Sequence, residues 1–279
     1  MASAATEAQP SVPAQPSVVG GSSWVAPIRE AGELAIFCVQ ALIATPRALR
    51  YFAEVLRQTA LMMRGTLLLV FTMNVFLGIT VGNFAFFTLR SIGASDFMGL
   101  VSGYGAPRQL GVTMFGYVFT AKVCCAMAAE LGAMRIQQEV DAYSSTGVDP
   151  IRYLVGTRLI AVVLFVPVAA FASLVGHIAG VYVMSVILLQ GLPGGTLMSV
   201  HWAVQSLADQ IFAISVMLGI AVSTALVACF YGLRTRGGPA AVGSSVARSL
   251  VVNLVLLHVV AVVFAMFVYG PDLKLPIGG

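Results

Sequence analysis

The chain has 279 residues, of which 59% are hydrophobic and only 9% are charged. Soluble domains carry about 45–50% apolar and about 25% charged residues, so this composition excludes an ordinary water-soluble fold. The net charge of +4 is too small to indicate nucleic-acid binding. Apolar runs of about 20 residues recur along the chain, each long enough to cross a bilayer. Lipid offers no partners to unpaired backbone groups, so the sequence predicts an all-α membrane protein.

The first 27 residues are rich in Ala, Ser, Pro and Gln and contain no basic residue. A secretory signal would need a basic start followed by an apolar core. The composition instead predicts a disordered cytoplasmic tail over residues 1–27.

Residues 28–64 have the pattern of a helical segment that does not cross the membrane. Thr45 and Pro46 suit the N-cap and first position of a helix. After them one face is polar and the opposite face is apolar, as expected of an amphipathic helix in the headgroup region. The polar face carries Arg47, Arg50, Glu54 and Arg57, and the apolar face carries Leu49, Phe52 and Leu56. The pattern leaves open a helix packed against a soluble partner.

Five long apolar runs follow and predict five transmembrane helices within a domain spanning residues 65–270. The third run contains Pro167, which predicts a kink or a tilt. The runs are Gly65–Leu89, Leu110–Leu131, Arg158–Leu189, Ala203–Leu233 and Val246–Tyr269.

Basic residues concentrate on one side of the predicted spans. With the N-terminus inside, the outer segments carry only Arg90, Arg108 and Lys274, and Lys122 lies within the second span. The inner segments carry the other eleven, which are Arg29, Arg47, Arg50, Arg57, Arg64, Arg135, Arg152, Arg158, Arg234, Arg236 and Arg248. Under the positive-inside rule, this bias predicts a cytoplasmic N-terminus and an external tail over residues 271–279.

The inner loop between the second and third spans is the most polar internal segment. Residues 134–146 are predicted to form a short helix, with Gly147 as the residue that follows its C-terminus. Asp149 is then expected to cap the next helix, with Pro150 at its first position. Spacing alone fits either a docking helix for a soluble partner or an ordinary solvated hairpin.

The residues of this loop carry a resemblance to a known family. The fragments AAELGAMR, EVDA, GVDPIRYLV and RLIA, between Ala128 and Ala161, resemble the signature of the MlaE/YrbE permeases of ABC-type lipid transporters. YGLRTRGGPAAVG, at Tyr231–Gly243, is similar to the family's next inner loop. The resemblance runs from about Arg47 to the C-terminus, and the overall pattern is more similar to the actinobacterial YrbE branch.

The resemblance implies a membrane subunit that works with other chains. The implied partners are a cytoplasmic ABC ATPase that binds ATP and Mg, a second permease copy or paralogue, external Mce proteins and a lipid. The residues implied to couple this chain to the ATPase are Glu130, Arg135, Glu139, Asp141, Gly147 and Asp149. The expected location is the cytoplasmic (inner) membrane.

Two departures from the family pattern bear on that coupling. The segment Tyr143–Thr146 replaces an apolar and acidic run, and Thr157 replaces a common proline. If the predicted helix contacts an ATPase, its interface here is more polar than is usual in the family.

Two ionisable residues within the second span allow two interpretations each. Lys122 costs about 2.5–3.5 kcal/mol at a bilayer centre, so it is either a candidate for the substrate pathway or part of a structural bridge. Glu130 either couples to the motor, or caps nearby backbone or pairs with Arg135.

Nothing in the sequence predicts enzymatic chemistry or a metal site. A P-loop needs Gly-Lys followed by Ser or Thr, and neither Lys122 nor Lys274 follows a glycine. The four cysteines and three histidines lack metal-ligand spacing. The leading hypothesis is therefore a permease without a cofactor of its own, and the alternative is a gradient-driven transporter or channel that needs no ATPase.

Overall fold

The computed structural model describes residues 25–269, with side chains over 28–267, and this part of the chain forms nine helices. The predicted tails lie outside the described residues, except that residues 25–27 begin the first helix. The helices are α1 Val25–Ala44, α2 Phe52–Met63, α3 Thr66–Ser91, α4 Ser95–Ile136, α5 Glu139–Ser145, α6 Ile151–Leu188, α7 Gly194–Val204, α8 Leu207–Leu233 and α9 Pro239–Tyr269. The described residues contain no β-strand, in agreement with the predicted all-α class.

Five helical stretches in the described part are long and apolar enough to cross a membrane, which confirms the predicted number of spans. Three of them begin earlier than their apolar runs, among them α9, which starts at Pro239 rather than Val246. Helix α4 starts at Ser95 rather than Leu110, and α6 starts at Ile151 rather than Arg158. The added turns are more polar but remain helical because they pack against α7 and α1 respectively. Apolar content marks what lipid can cover, whereas helix length also depends on packing between helices.

Helices α3 and α6 form the closest helix pair. Each carries a Gly-x-x-x-Gly motif, Gly78 with Gly82 and Gly176 with Gly180. A Cβ atom on Gly176 would lie 2.6 Å from the carbonyl oxygen of Phe71, and one on Gly180 would overlap the backbone of Val75. Small residues at this spacing let two helix backbones touch, which stabilises helix pairs in lipid.

The core lies where α4, α6 and α8 meet. The rings of Phe115 and Phe119 on α4 stack against each other and against Phe165 on α6. All three side chains are buried, as are most side chains of α8 that face this layer. Helix α8 is largely covered by its neighbours, whereas α9 is largely exposed.

The N-terminal segment packs along α6. Ala48, in the 3₁₀ turn Thr45–Tyr51, contacts Gly156 near the start of α6, and α2 continues along the same helix. The predicted apolar face is exposed, since Leu49, Phe52 and Leu56 are each about half accessible. Thr45 is not an N-cap, because its hydroxyl donates to the carbonyl of Ala41 one turn earlier and the chain enters the turn already helical.

The loop after α4 differs from the predicted helix over residues 134–146. Met134 and Arg135 belong to the last turn of α4, and α5 begins only at Glu139. The break occurs at Gln138, whose φ of +63° is left-handed and cannot continue an α-helix. The short helix is therefore half the predicted length and is joined to α4 by a tight turn.

Candidate functional site

The α5 turn is fixed at both ends by local chemistry. Gly147 has a φ of +78°, the conformation that a glycine after a helix C-terminus adopts without strain. The Asp149 carboxylate accepts hydrogen bonds from the backbone N–H groups of Ile151 at 3.0 Å and Arg152 at 3.5 Å. Asp149 therefore caps α6, as its sequence position indicates.

An ion pair clamps α5 to the end of α4. Arg135 Nη1 lies 2.5 Å from Asp141 Oδ1, and Asp141 is largely exposed. Glu139, the first residue of α5, is exposed and has no salt bridge among the described residues. Among the residues implied to couple this chain to an ATPase, Arg135 and Asp141 thus hold the turn together, and Glu139 is left available to another chain.

Glu130 pairs with Arg158 of α6 and not with Arg135. Arg158 Nη2 lies 2.9 Å from Glu130 Oε1, and Arg158 Nη1 donates to the carbonyl of Leu154 at 2.8 Å. The Arg158 side chain is 3% exposed, while that of Glu130 is 50% exposed. A buried guanidinium needs a charged partner, so Glu130 stabilises the charge of Arg158 and ties α4 to α6 directly below the α5 turn.

Lys122 lies beside the turn that joins α2 to α3. Its Nζ is 3.5 Å from the carbonyl oxygen of Arg64, at the C-terminal end of α2. No carboxylate of the described chain lies within salt-bridge distance of Lys122. A cation at a helix C-terminus is favoured by the unpaired carbonyls and the helix dipole, which supports the structural interpretation for this residue.

The departure at Tyr143–Thr146 is used mainly to end α5. Ser145 and Thr146 each donate a hydroxyl hydrogen bond to a carbonyl one turn earlier, those of Ala142 and Tyr143. The ring of Tyr143 packs on Tyr153, with centroids 5.1 Å apart. These side chains therefore help to end and pack the turn, while Ser144, Ser145 and Thr146 remain exposed on its surface.

A cleft of about 510 Å³ lies beside α5. Its walls are α1, the α5 turn, the start of α6 and the end of α8, and they include Phe37, Val140 and Phe230. Arg234 bonds to Glu33 across this region, joining α8 to α1. The site thus offers an exposed acidic helix next to an apolar cleft, an arrangement suited to receiving another protein chain rather than to catalysis.

A second polar cluster, missed from the sequence, lies at the opposite end of the helices. Arg108 of α4 pairs with Asp209 of α8 at 3.1 Å, and Ser102 contacts His201 of α7 at 2.9 Å. His201 is fully buried, and this burial lowers the pKa of its imidazole. The Ser206-x-x-Asp209 pattern before an apolar run did carry a signal, because Ser206 caps α8.

The described residues show no cluster that could perform metal chemistry. No group of three or more His, Cys, Asp or Glu side chains converges within residues 28–267. Cys38, Cys124, Cys125 and Cys229 are free, and two of them are buried.

Comparison with known proteins matches this architecture to one family. The profile of the family described as Permease MlaE matches residues 55–267, which is most of the chain and all five apolar spans except the start of the first. A probable ABC transporter permease protein of Synechocystis is 34% identical over 167 residues, covering 60% of this chain and 63% of that protein.

Two further relatives match over similar lengths of this chain. The intermembrane phospholipid transport system permease protein MlaE of Haemophilus influenzae is 23% identical over 175 residues, covering 62% of this chain and 61% of its own. Protein TRIGALACTOSYLDIACYLGLYCEROL 1, chloroplastic, of Arabidopsis thaliana is 28% identical over 191 residues, covering 66% and 53%. The chain thus spans less than two thirds of the length of these curated relatives.

Proposed function

Because the chain belongs to the MlaE permease family, we propose that it is the membrane subunit of an ABC-type lipid transporter. Its cargo is a lipid of the fatty acid, phospholipid or sterol class. ATP and Mg bind to a separate cytoplasmic ATPase, and this chain converts the ATPase cycle into movement of its helices. The relative named for phospholipid transport supports the lipid cargo.

The observation that carries this proposal is the attachment of the α5 turn. Glu139 is exposed at its start, and the turn is joined to α4 by the Arg135–Asp141 pair and to α6 by the Asp149 cap. A push on α5 would therefore reach two long membrane helices at once. The Glu130–Arg158 pair below it links the same two helices and would keep them in register.

Each residue of the proposed coupling site has its own role. Glu139 contacts the ATPase, Arg135 and Asp141 hold α5 in place, Gly147 and Asp149 set the turn, and Glu130 transmits the movement. Lys122 remains a candidate for the lipid pathway. Its position beside the C-terminal end of α2 favours a structural role.

The proposed complex has further members. A second permease, identical or paralogous, completes the membrane core. Mce proteins of the YrbE-type systems receive or deliver the lipid at the external face. The basic bias supports a cytoplasmic N-terminus and a location in the inner membrane.

Charge exchange within the α5 turn tests the coupling. In the purified complex, Glu139→Lys is expected to abolish lipid-stimulated ATPase activity, because it reverses the charge that the proposed site presents to the ATPase. The exchange R135D with D141R keeps the internal pair and is expected to retain most of that activity, while R135D alone should lose it.

Arg50→Glu is the matched control, because Arg50 is also exposed on the predicted cytoplasmic side but belongs to a different segment. Full stimulation in Glu139→Lys, with the complex still assembled, would remove α5 from the mechanism.

A further inference from the structure

A polar cleft of about 460 Å³ lies where α1, the end of α8 and the start of α9 meet, and the coupling site does not use it. Three separate elements of the chain bring arginines to its wall. Arg29 comes from α1, Arg234 and Arg236 from the connection between α8 and α9, and Arg248 from α9 itself. Most of the accessible lining is polar, unlike that of the cleft beside α5.

The charges of this cleft do not cancel. Four arginines and two glutamates, Glu30 and Glu33, line it, which gives 4 − 2 = +2. Glu33 is shared by Arg29 and Arg234. Arg236 and Arg248 form no salt bridge within residues 28–267. Within residues 28–267, both guanidinium groups thus line the cleft with no carboxylate at salt-bridge distance, and each offers a planar fork that suits phosphate oxygens.

The start of α9 adds to the attraction for an anion. The helix begins at Pro239, and Ala241 and Ser244 of its first two turns line the cleft. The N-terminal end of a helix carries the positive end of its dipole. This positive end acts together with the side chains of Arg236 and Arg248.

The surface that continues from the cleft is apolar. Val251, Val255 and Val259 follow Arg248 at spacings of 3, 7 and 11 residues, so all four lie on one face of α9. The three valines are 64%, 63% and 51% exposed. A cationic site at the membrane end of a helix, followed by an exposed apolar stripe along the same helix, matches the two halves of a charged lipid.

We infer that this cleft binds the headgroup of an anionic phospholipid, whose acyl chains lie along the exposed face of α9. The cleft adjoins the one beside α5, with which it shares Glu33, Phe230 and Arg234, but no residue of the α5 turn lines it. Binding there does not require transport. A free phosphate would use the same arginines but gain nothing from the valine stripe.

The test is native mass spectrometry of the full chain purified in detergent, with equal amounts of phosphatidylglycerol and phosphatidylethanolamine added. Wild type is expected to retain phosphatidylglycerol preferentially. The double variant Arg236→Gln with Arg248→Gln should weaken that retention about tenfold or more, because a basic residue at a membrane surface contributes appreciably to anionic lipid binding. Arg64→Gln with Arg90→Gln removes the same charge from exposed positions outside the cleft and should change that retention little.

Three results would overturn the inference. Equal losses in both double variants would mean general attraction by a basic surface, and unchanged retention in the cleft variant would mean that the lipid binds elsewhere. Displacement of the lipid by millimolar glycerol phosphate would assign the cleft to a free phosphate compound. Unfolding temperatures of both variants, measured without lipid, show whether either one has simply lost its fold.

Discussion

Helices α3 and α9 are both buried along only part of their surface, but they contact their neighbours differently. Helix α3 touches α6 backbone to backbone through two facing glycine motifs. Only 17% of the most apolar stretch of α9 is buried in this chain, against 22% for the span that contains α3 and 61% for α8. Two long apolar helices of similar composition thus have very different neighbours. The difference indicates that α3 and α6 act as one rigid unit, while α9 presents a surface that lipid or a second chain must cover.

The largest expected effect comes from filling the α3–α6 contact. Gly180→Ala would place a methyl group against the backbone of Val75, where no flexible side chain can yield. Overpacking of this kind costs about 3 kcal/mol or more, and thermal unfolding in detergent would measure it. Gly195→Ala is the matched control, because nothing lies within 4 Å of a Cβ atom there. Equal stability of the two variants would contradict the close contact.

A smaller loss is expected from Glu130→Gln. The substitution leaves the buried guanidinium of Arg158 with a neutral partner. Because the Glu130 side chain is half exposed and water can partly replace it, the expected cost is about 1–3 kcal/mol. Adding Arg158→Met removes the buried charge and should restore part of the unfolding temperature. A double variant less stable than Glu130→Gln would show that Arg158 is stabilised by other groups.

Acid should weaken the end of the molecule that holds His201. Burial lowers the pKa of His201 in the folded chain, so below about pH 6.5 the unfolded chain binds more protons than the folded one. The contribution of His201 to stability is therefore constant well above pH 6.5 and decreases as the pH falls below that value. Between pH 7.5 and 5.5, wild type should therefore lose more stability than His201→Gln, which cannot titrate. The measurement is the unfolding temperature of both proteins at the two pH values. Equal decreases in wild type and His201→Gln would contradict the prediction.

The smallest effect is expected on the outer face of α9. Val255 is 63% exposed, so Val255→Ala removes few contacts within the chain and should change stability by less than about 0.5 kcal/mol in detergent. A loss comparable to that of Gly180→Ala would mean that α9 is covered in the purified protein. Analytical ultracentrifugation of wild type would then be expected to show a dimer.

Local patterns in the sequence were sufficient for the spans and for the ends of the α5 turn. Five apolar runs predict five spans, and the positions of Gly147 and Asp149 predict a left-handed residue and a helix cap. Each of these depends on chemistry within a few residues. The predicted start of α5 was wrong because Gln138, an ordinary helix former, adopts a left-handed conformation that ends α4.

Contacts between distant residues could not be read from a single sequence. Glu130 had a basic neighbour at Arg135, but it pairs with Arg158 across the loop because α4 and α6 lie side by side. The Arg108–Asp209 pair joins residues that are 101 positions apart. The glycine motifs were visible as a pattern, but only the fold shows that the two motifs face each other.

Lipid transfer in proteoliposomes tests the central claim most directly. The chain, reconstituted with and without its cognate ATPase subunit, would be supplied with a fluorescent phospholipid, ATP and Mg, and transfer to an acceptor on the external side would be followed. Transfer is expected only when the ATPase and ATP are both present, and it should be lost with Glu139→Lys. Transfer by the chain alone, driven by an ion gradient, would contradict the account and favour a transporter that needs no motor.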